Sequence, residues 1–308
     1  MSARGAGSQE PGRPAVGTAH AKLNLRLRVL ERDVSGYHGV ETFLLRLELA
    51  DRITVRPATR GIHLEVTGDP DVPTDALNLC WKAAEALHRA LDVVPAVSIR
   101  LEKQIPASAG LGGGSMDAAA TLEALSRLPG LQAGPAQLIA IAGELGSDVP
   151  FGLCRLPLAL GWERGRRIMP LQPPPARPVL VAVPPFGVSA AEAYRWLAAD
   201  REEAAGSAAA RPSGELLPPP ESLTDWDVLA GLALNDLQPA VFRRHPELRV
   251  IHEVLCDSGA GIALLCGSGA CVAGIFDTVA ARDRAGEALE SDAGVRTIRT
   301  STVGPEPS

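Results

Sequence analysis

Aromatic residues make up only 4% of this 308-residue chain, so its core has to be assembled from Leu, Val, Ile and Ala. Cysteine is sparse as well: five, at positions 80, 154, 256, 266 and 271, an odd set without any C-x-x-C. That argues against a disulfide framework and against a zinc knuckle, and it fits a reducing, cytoplasmic setting. Long runs of Lys or Arg are missing and the formal charge is −6. A general binder of nucleic acid or of an anionic membrane is thereby disfavoured, while a local basic pocket for small anions stays open. No membrane span is expected either, because the uncharged stretch over residues 261–276 is interrupted by glycines and too short to cross a bilayer. The first twenty residues lack the apolar stretch of a secretory signal. Residues 1–19, rich in Gly, Ser, Pro and Arg, read as a disordered tail.

What is present is an ordinary globular composition, 46% apolar and 21% charged. The length suggests two domains sharing an interface. Between them lies Leu171-Gln-Pro-Pro-Pro-Ala-Arg-Pro178, where too many amides are missing for a helix or a central strand. The expected division is therefore 20–172 and 173–308, with a flexible insertion at 200–222 that is full of Ala, Gly, Pro, Ser and Glu. Alternation predicts strands at 21–30, 40–49, 52–57, 61–67, 96–102 and 157–162, and helical spacing predicts helices at 76–91, 116–128 and 135–145. Beyond the boundary, strands are expected at 179–183, 262–266, 270–276 and 295–299, and helices at 189–198, 237–255 and 278–289. The pattern is α+β.

The chemistry concentrates around the loop at 107–114. Several positions without a Cβ directly before a helix let backbone amides approach phosphate oxygens, and the helix dipole adds attraction. The loop is neither a Walker P-loop, since no Gly-Lys-Ser or Gly-Lys-Thr ends it, nor a Rossmann turn. Ser115 is placed either to cap the helix or to help position a magnesium ion, and Asp117 to complement the helix N-terminus. Lys103 either reaches a nucleotide or ends its strand in solvent, and Asn78 either caps its helix or contacts a ligand. Asp148, on a turn before an apolar segment, is a turn former or the group that deprotonates an attacking hydroxyl, with Lys22 as its cationic partner. Lys22 and Asn24 share one face of the first strand, a face that is either wet or functional. Tyr37 and His38 can stack on and hydrogen-bond a base, or merely pack a turn. A second glycine turn, Cys266-Gly-Ser-Gly-Ala-Cys271, separates two apolar strands.

Taken in order, these segments resemble the superfamily of galactose, homoserine, mevalonate and phosphomevalonate (GHMP) kinases. Ala21-Lys-Leu-Asn-Leu25 is similar to its first motif, Ile105 through Ser115 to its phosphate loop, and Gly267-Ser-Gly-Ala-Cys271 to its third motif. Ser35-Gly-Tyr-His-Gly-Val-Glu-Thr42, Gly146-Ser-Asp-Val-Pro-Phe151 and Ala233-Leu-Asn-Asp-Leu-Gln-Pro239 resemble the branch that phosphorylates a cytidine-diphosphate-linked methylerythritol.

The resemblance implies an N-terminal domain like the second domain of ribosomal protein S5, a ferredoxin-like C-terminal domain and an active site in the cleft between them. It implies ATP and Mg2+ as cofactors, a small cytidine-diphosphate-linked substrate, and no nucleic-acid or membrane partner. Lys22 and Asp148 would be the catalytic pair. Pro106, Ala107, Ser108, Ala109, Gly110, Leu111, Gly112, Gly113, Gly114, Ser115 and Met116 would enclose ATP together with Asn78 and Lys103. Asn24 would contact the methylerythritol portion, and Tyr37, His38 and Tyr194 the cytosine. No dedicated metal site is expected beyond Ser115. Two positions depart from the family pattern: Met116 stands where a second serine is usual, and Asp117 where Asn is common. A homoserine or mevalonate-type kinase and a non-catalytic nucleotide-binding relative are the alternatives, the first disfavoured by Tyr37 and His38 and the second by the presence of both Lys22 and Asp148.

Overall fold

The computed structural model describes residues 13–32, 38–163, 167–205, 217–292 and 295–305. Its first sheet is organised by two long strands, β1 (Ala15–Arg32) and β2 (His38–Pro57), paired antiparallel almost end to end. The expected tail therefore stops earlier than residue 19: Ala15 to Ala19 pair with Val55 to Asp51, and Gly17 lies so close to the Ala120 carbonyl that a Cβ there would sit 2.7 Å from its oxygen. β2 is likewise one strand where two are predicted. Asp51 does not break it, because the side chain turns inward and accepts hydrogen bonds from the amides of Gln104 and Ile105.

Around this pair the strands β3 (Gly61–Thr67), β4 (Ala96–Glu102) and the two-residue β8 (Leu234–Asn235) complete the order β3-β4-β2-β1-β8, with β5 (Leu158–Trp162) on β2 and β6 (Arg167–Leu171) on β5. One face is covered by α1 (Leu79–Leu91), α2 (Gly113–Leu125), α3 (Pro135–Leu145) and α4 (Val149–Cys154), which bury Leu44, Ile53 and Val55 under Ala118, Leu122 and Phe151. Its other face, with Leu23, Leu25, Phe43 and Leu45, packs on Val179, Val181, Ala273 and Ile275 of a second sheet.

That second sheet joins β7 (Pro178–Val183), β9 (Ala260–Leu265), β10 (Val272–Phe276) and β11 (Arg296–Ser301) in the antiparallel order β11-β7-β10-β9. In chain order this is 4-1-3-2, the arrangement of a split β-α-β unit. Helices α5 (Ala190–Ala205), α7 (Gln238–Arg244), α8 (Pro246–Asp257) and α9 (Val279–Asp292) lie on its outer face. The molecule is a two-domain α+β structure with layers in the order helix, sheet, sheet, helix.

The helix predicted over 237–255 is divided at His245, because Pro246 has no amide to continue α7. The insertion expected from residue 200 begins later: α5 runs on to Ala205, anchored where Asp200 accepts from Arg244 at 3.0 Å and from Arg243, and where Arg201 meets Asp236 at 3.0 Å. Past it, Leu223 is buried in a 3-10 turn (Pro220–Thr224), followed by α6 (Trp226–Leu232). The rest of the insertion, 206–216, lies outside the described residues.

Candidate active site

Lys22 and Asn24 project from β1 into the interior rather than into water, and both are buried. The Lys22 ammonium donates to Asn24 Oδ1 at 2.7 Å and to the Gly110 carbonyl at 3.1 Å, and lies 3.3 Å from Asp148 Oδ2. Three acceptors thus match its three protons. Asn24 is fixed in turn by donating from Nδ2 to Thr42 Oγ1 at 2.8 Å. Asp148 stands at the N-cap position of α4, held by Pro150 in the first turn, and its side chain is 28% exposed against 6% for that of Lys22. The carboxylate therefore faces the cleft while the cation sits behind it.

The glycine-rich loop closes over this pair. The Lys22 amide donates to the Leu111 carbonyl at 3.0 Å, and a Cβ on Gly112 would lie 2.8 Å from Lys22 Cε. Gly112, with φ +72°, is the N-cap of α2, so the cap is a backbone feature and the capping role considered for Ser115 falls away. The second glycine turn meets the first. A Cβ on Gly110 would sit 1.7 Å from the Cys266 carbonyl oxygen, and one on Gly267 would sit 3.0 Å from Gly110 O and 3.3 Å from Lys22 Nζ. Asn235 holds that turn, donating to the carbonyls of Leu265 at 2.8 Å and Gly267 at 2.7 Å while its Oδ1 accepts from the Leu237 amide. Residues from both sheets therefore converge on one cleft.

Lys103 is neither a solvated strand end nor exposed. Its side chain is 4% exposed and its ammonium bonds Asp51 and, at 2.7 Å, Asp117. Asp117 thus faces inward instead of decorating the helix start. Burial raises its pKa most, Lys103 opposes that and Asp51 adds to it, so that the carboxyl is pushed up to about 8. For Lys103 burial acts downward, but Asp117 and Asp51 together outweigh it and raise the ammonium. Gly113 lies directly above, where a Cβ would stand 3.3 Å from Lys103 Nζ. Asn78 caps α1 by accepting from the Cys80 amide at 2.8 Å, and also donates to the Pro73 carbonyl.

A cavity of about 430 Å³ is lined by residues 106–115 together with Asn78, Lys103 and Asp117, so every residue expected around ATP borders it except Met116. The Met116 side chain turns away and is buried beneath α4, beside Gly152, where a Cβ would approach its sulfur to 3.2 Å. Tyr194 of α5 is near enough to Asp148 that burial, Asp148 and Asp236 push its phenol up to about 12. Tyr37 lies outside the described residues, and His38 is described only as the first residue of β2, paired with Arg32. Sequence reasoning missed Asp51 and the wall formed by Asp71, Val72 and Leu77. It also gave Asn235 no role, although the motif around it was noted. The one local signal for Asp51 was an acid inside an otherwise apolar alternation.

The GHMP kinases N terminal domain model matches residues 78–155 and the GHMP kinases C terminal model residues 221–295. The chain is 40% identical to a 4-diphosphocytidyl-2-C-methyl-D-erythritol kinase of Pelotomaculum thermopropionicum, over 92% of this chain and 96% of that one. It is 41% identical to a kinase of the same name from Anaeromyxobacter sp. strain K, over 94% and 91%. A crystal structure of 4-(cytidine 5'-diphospho)-2C-methyl-D-erythritol kinase superposes with a TM-score of 0.74 at 33% identity, covering 94% of this chain and all, 100%, of the other. Homoserine kinase from Cytophaga hutchinsonii shares the fold, with a TM-score of 0.70 at 15% identity over 97% of this chain and 98% of its own. With its Lys22 and Asp148 paired beneath a glycine-rich loop, the chain belongs to the 4-diphosphocytidyl-2-C-methyl-D-erythritol kinases, a family of GHMP kinases.

Proposed function

We propose that this kinase transfers the γ-phosphoryl group of ATP to the 2-hydroxyl of 4-diphosphocytidyl-2-C-methyl-D-erythritol, giving the 2-phosphate and ADP, in the non-mevalonate route to isoprenoid precursors. The observation that carries the reading is the 3.3 Å approach of Lys22 Nζ to Asp148 Oδ2 at the mouth of the glycine-rich loop. Asp148 orients the acceptor hydroxyl and takes its proton as the O–P bond forms, while the bond from phosphorus to the ADP oxygen breaks. Lys22 holds that carboxylate in place and sets a positive charge beside the incoming phosphate. Backbone amides of the loop, at the start of α2, receive the phosphates.

Ser115 borders the same cavity, and its hydroxyl would be an oxygen ligand of the kind magnesium accepts alongside ATP phosphates, where the ion would neutralise charge developing on the transferred group. Asn24, beside the pair, contacts the polyol portion of the acceptor. Tyr194, on α5, together with Tyr37 and His38, is assigned to the cytosine. A cytoplasmic location fits five cysteines that are all free, and among the described residues no helix is long and apolar enough to cross a membrane.

Coupled ADP release with the cytidine substrate, homoserine and mevalonate offered in parallel tests the assignment. Turnover only with the cytidine compound is expected, and turnover only with the other alcohols would overturn it. Asp148→Asn is expected to lower kcat by roughly 10²–10⁴. A folded variant with undiminished kcat would remove Asp148 from the role of base.

A further inference from the structure

Along α2 the stripe that faces the nucleotide cavity includes Gly113 and Asp117, whereas Met116, Ala120 and Glu123 form a different stripe at i, i+4 and i+7. Under that second stripe lies another cavity, of about 230 Å³, closed by the first part of β1, by β2 and by α4. Thr18, His20, Arg46 and Arg155 contribute its polar lining, with Glu123 the acid among them.

Arg46 is out of keeping with its surroundings. It is 8% exposed, its Nη2 reaches only the carbonyls of Phe151 at 3.4 Å and Gly152 at 3.5 Å, and its guanidinium lies 5.5 Å from the centre of the Phe151 ring. Its Nε is buried with no hydrogen-bond partner, and among the described residues no carboxylate pairs with it. Glu123 does not serve, because it is committed to Arg155 at 2.5 Å and to Arg127 at 3.2 Å. Burial, and after it the like charge of Arg155, push the Arg46 guanidinium down to about 10, with Cys154 and Glu123 acting more weakly in the other direction. A desolvated cation with no carboxylate in contact gains from an anion that completes it.

We propose that this cavity is a second binding site, distinct from the ATP and acceptor sites, for a small oxyanion of the phosphate or carboxylate class that pairs with Arg46. A planar guanidinium suits such oxygens, and Arg46, Thr18 and Arg155 line the same space. The volume is below that of pockets for drug-sized molecules, which selects an anion of a few heavy atoms rather than a nucleotide. The inference is independent of which alcohol the kinase phosphorylates.

The test uses the full chain saturated with a non-hydrolysable ATP analogue, so that the glycine-rich loop is already filled. Inorganic phosphate and malonate are titrated separately by calorimetry and by thermal shift. Saturable binding of at least one, with a rising Tm, is expected, and which of the two binds distinguishes a phosphate from a carboxylate site. Arg46→Gln is expected to weaken it about 10–100-fold. Thr18→Glu, which builds a carboxylate into the cavity, is expected to raise the Tm of the anion-free protein and to abolish the response to added anion. The proposal is overturned if neither anion binds saturably, if folded Arg46→Gln binds as well as the parent, or if Thr18→Glu leaves the response intact. Should Arg46→Gln fail to fold, the Thr18→Glu comparison decides alone.

Discussion

At the scale of single residues, the cleft depends on charges that are buried in uneven number. Asp51, Lys103 and Asp117 bring two carboxyl groups and one ammonium together behind the glycine-rich loop, and Asp117 Oδ1 has no hydrogen-bond partner. An acid whose folded pKa is raised to about 8 keeps its proton where the unfolded chain, with an ordinary value of about 3.9, has lost it. Folding therefore takes up a proton between those limits. The contribution of this carboxyl to stability is complete below about pH 4 and is lost as pH climbs towards about 8. Lys103, with its pKa raised, contributes over all of that range and loses its share only at strongly alkaline pH. The Tm of the parent should accordingly fall more steeply between pH 5 and pH 8 than that of Asp117→Asn, measured by scanning calorimetry in matched buffers. Parallel curves would mean that the Asp117 proton is not linked to folding. None of this was readable from sequence, because the contacts join residues 52 and 14 positions apart and each acid taken alone looks like a cap or a turn former.

At the scale of elements, the local features were legible and the contacts between elements were not. The glycine-rich loop announces itself because its amides, its missing Cβ atoms and the following helix are contiguous. Short alternating segments such as β3 and β4 have the boundaries that alternation predicts, Gly61–Thr67 and Ala96–Glu102. In contrast, α4 has six residues, too few for a helical period to show, and β6 carries Pro170 and precedes a proline-rich stretch that masks it. The same contrast separates two glycine substitutions. Gly110 has φ +77° and would drive a Cβ into the Cys266 carbonyl, so Gly110→Ala has to part the two glycine turns. It should cost about 1–3 kcal/mol of stability and raise the KM for ATP at least about tenfold, as read by denaturant titration and steady-state kinetics. Gly143, inside α3, has nothing within 4 Å of an added Cβ. Gly143→Ala should therefore stabilise the protein by about 0.5–1 kcal/mol with kcat unchanged. If both variants behaved alike, glycine in the loop would be serving flexibility rather than close approach.

At the scale of the whole molecule, the two sheets share one buried core. Leu23, Leu25, Phe43 and Leu45 on one side share a single buried cluster with Val179, Val181, Ala273 and Ile275 on the other. Strand pairing crosses the same boundary: β8, from the second half of the sequence, pairs with Arg26 and Leu27 of β1, and Thr302 bridges to Leu47. Further bonds run from the Leu49 amide to Thr300 Oγ1 at 2.9 Å and from the Val303 amide to the Arg46 carbonyl at 2.9 Å. Separating the halves would expose apolar surface at about 25 cal/mol for each Å² and leave those backbone groups without partners. The four tryptophans allow a direct measurement, since Trp81 and Trp162 belong to the first half and Trp196 and Trp226 to the second. In one variant the first pair is replaced by Phe and in another the second pair, so that fluorescence follows one half at a time through a urea titration. Midpoints measured on the two halves, each corrected for the stability change of its own variant by circular dichroism, should coincide, as a single cooperative transition requires. A first half that stays folded after the second has unfolded would show instead that the shared core contributes little, and that the cleft is assembled from two independent domains.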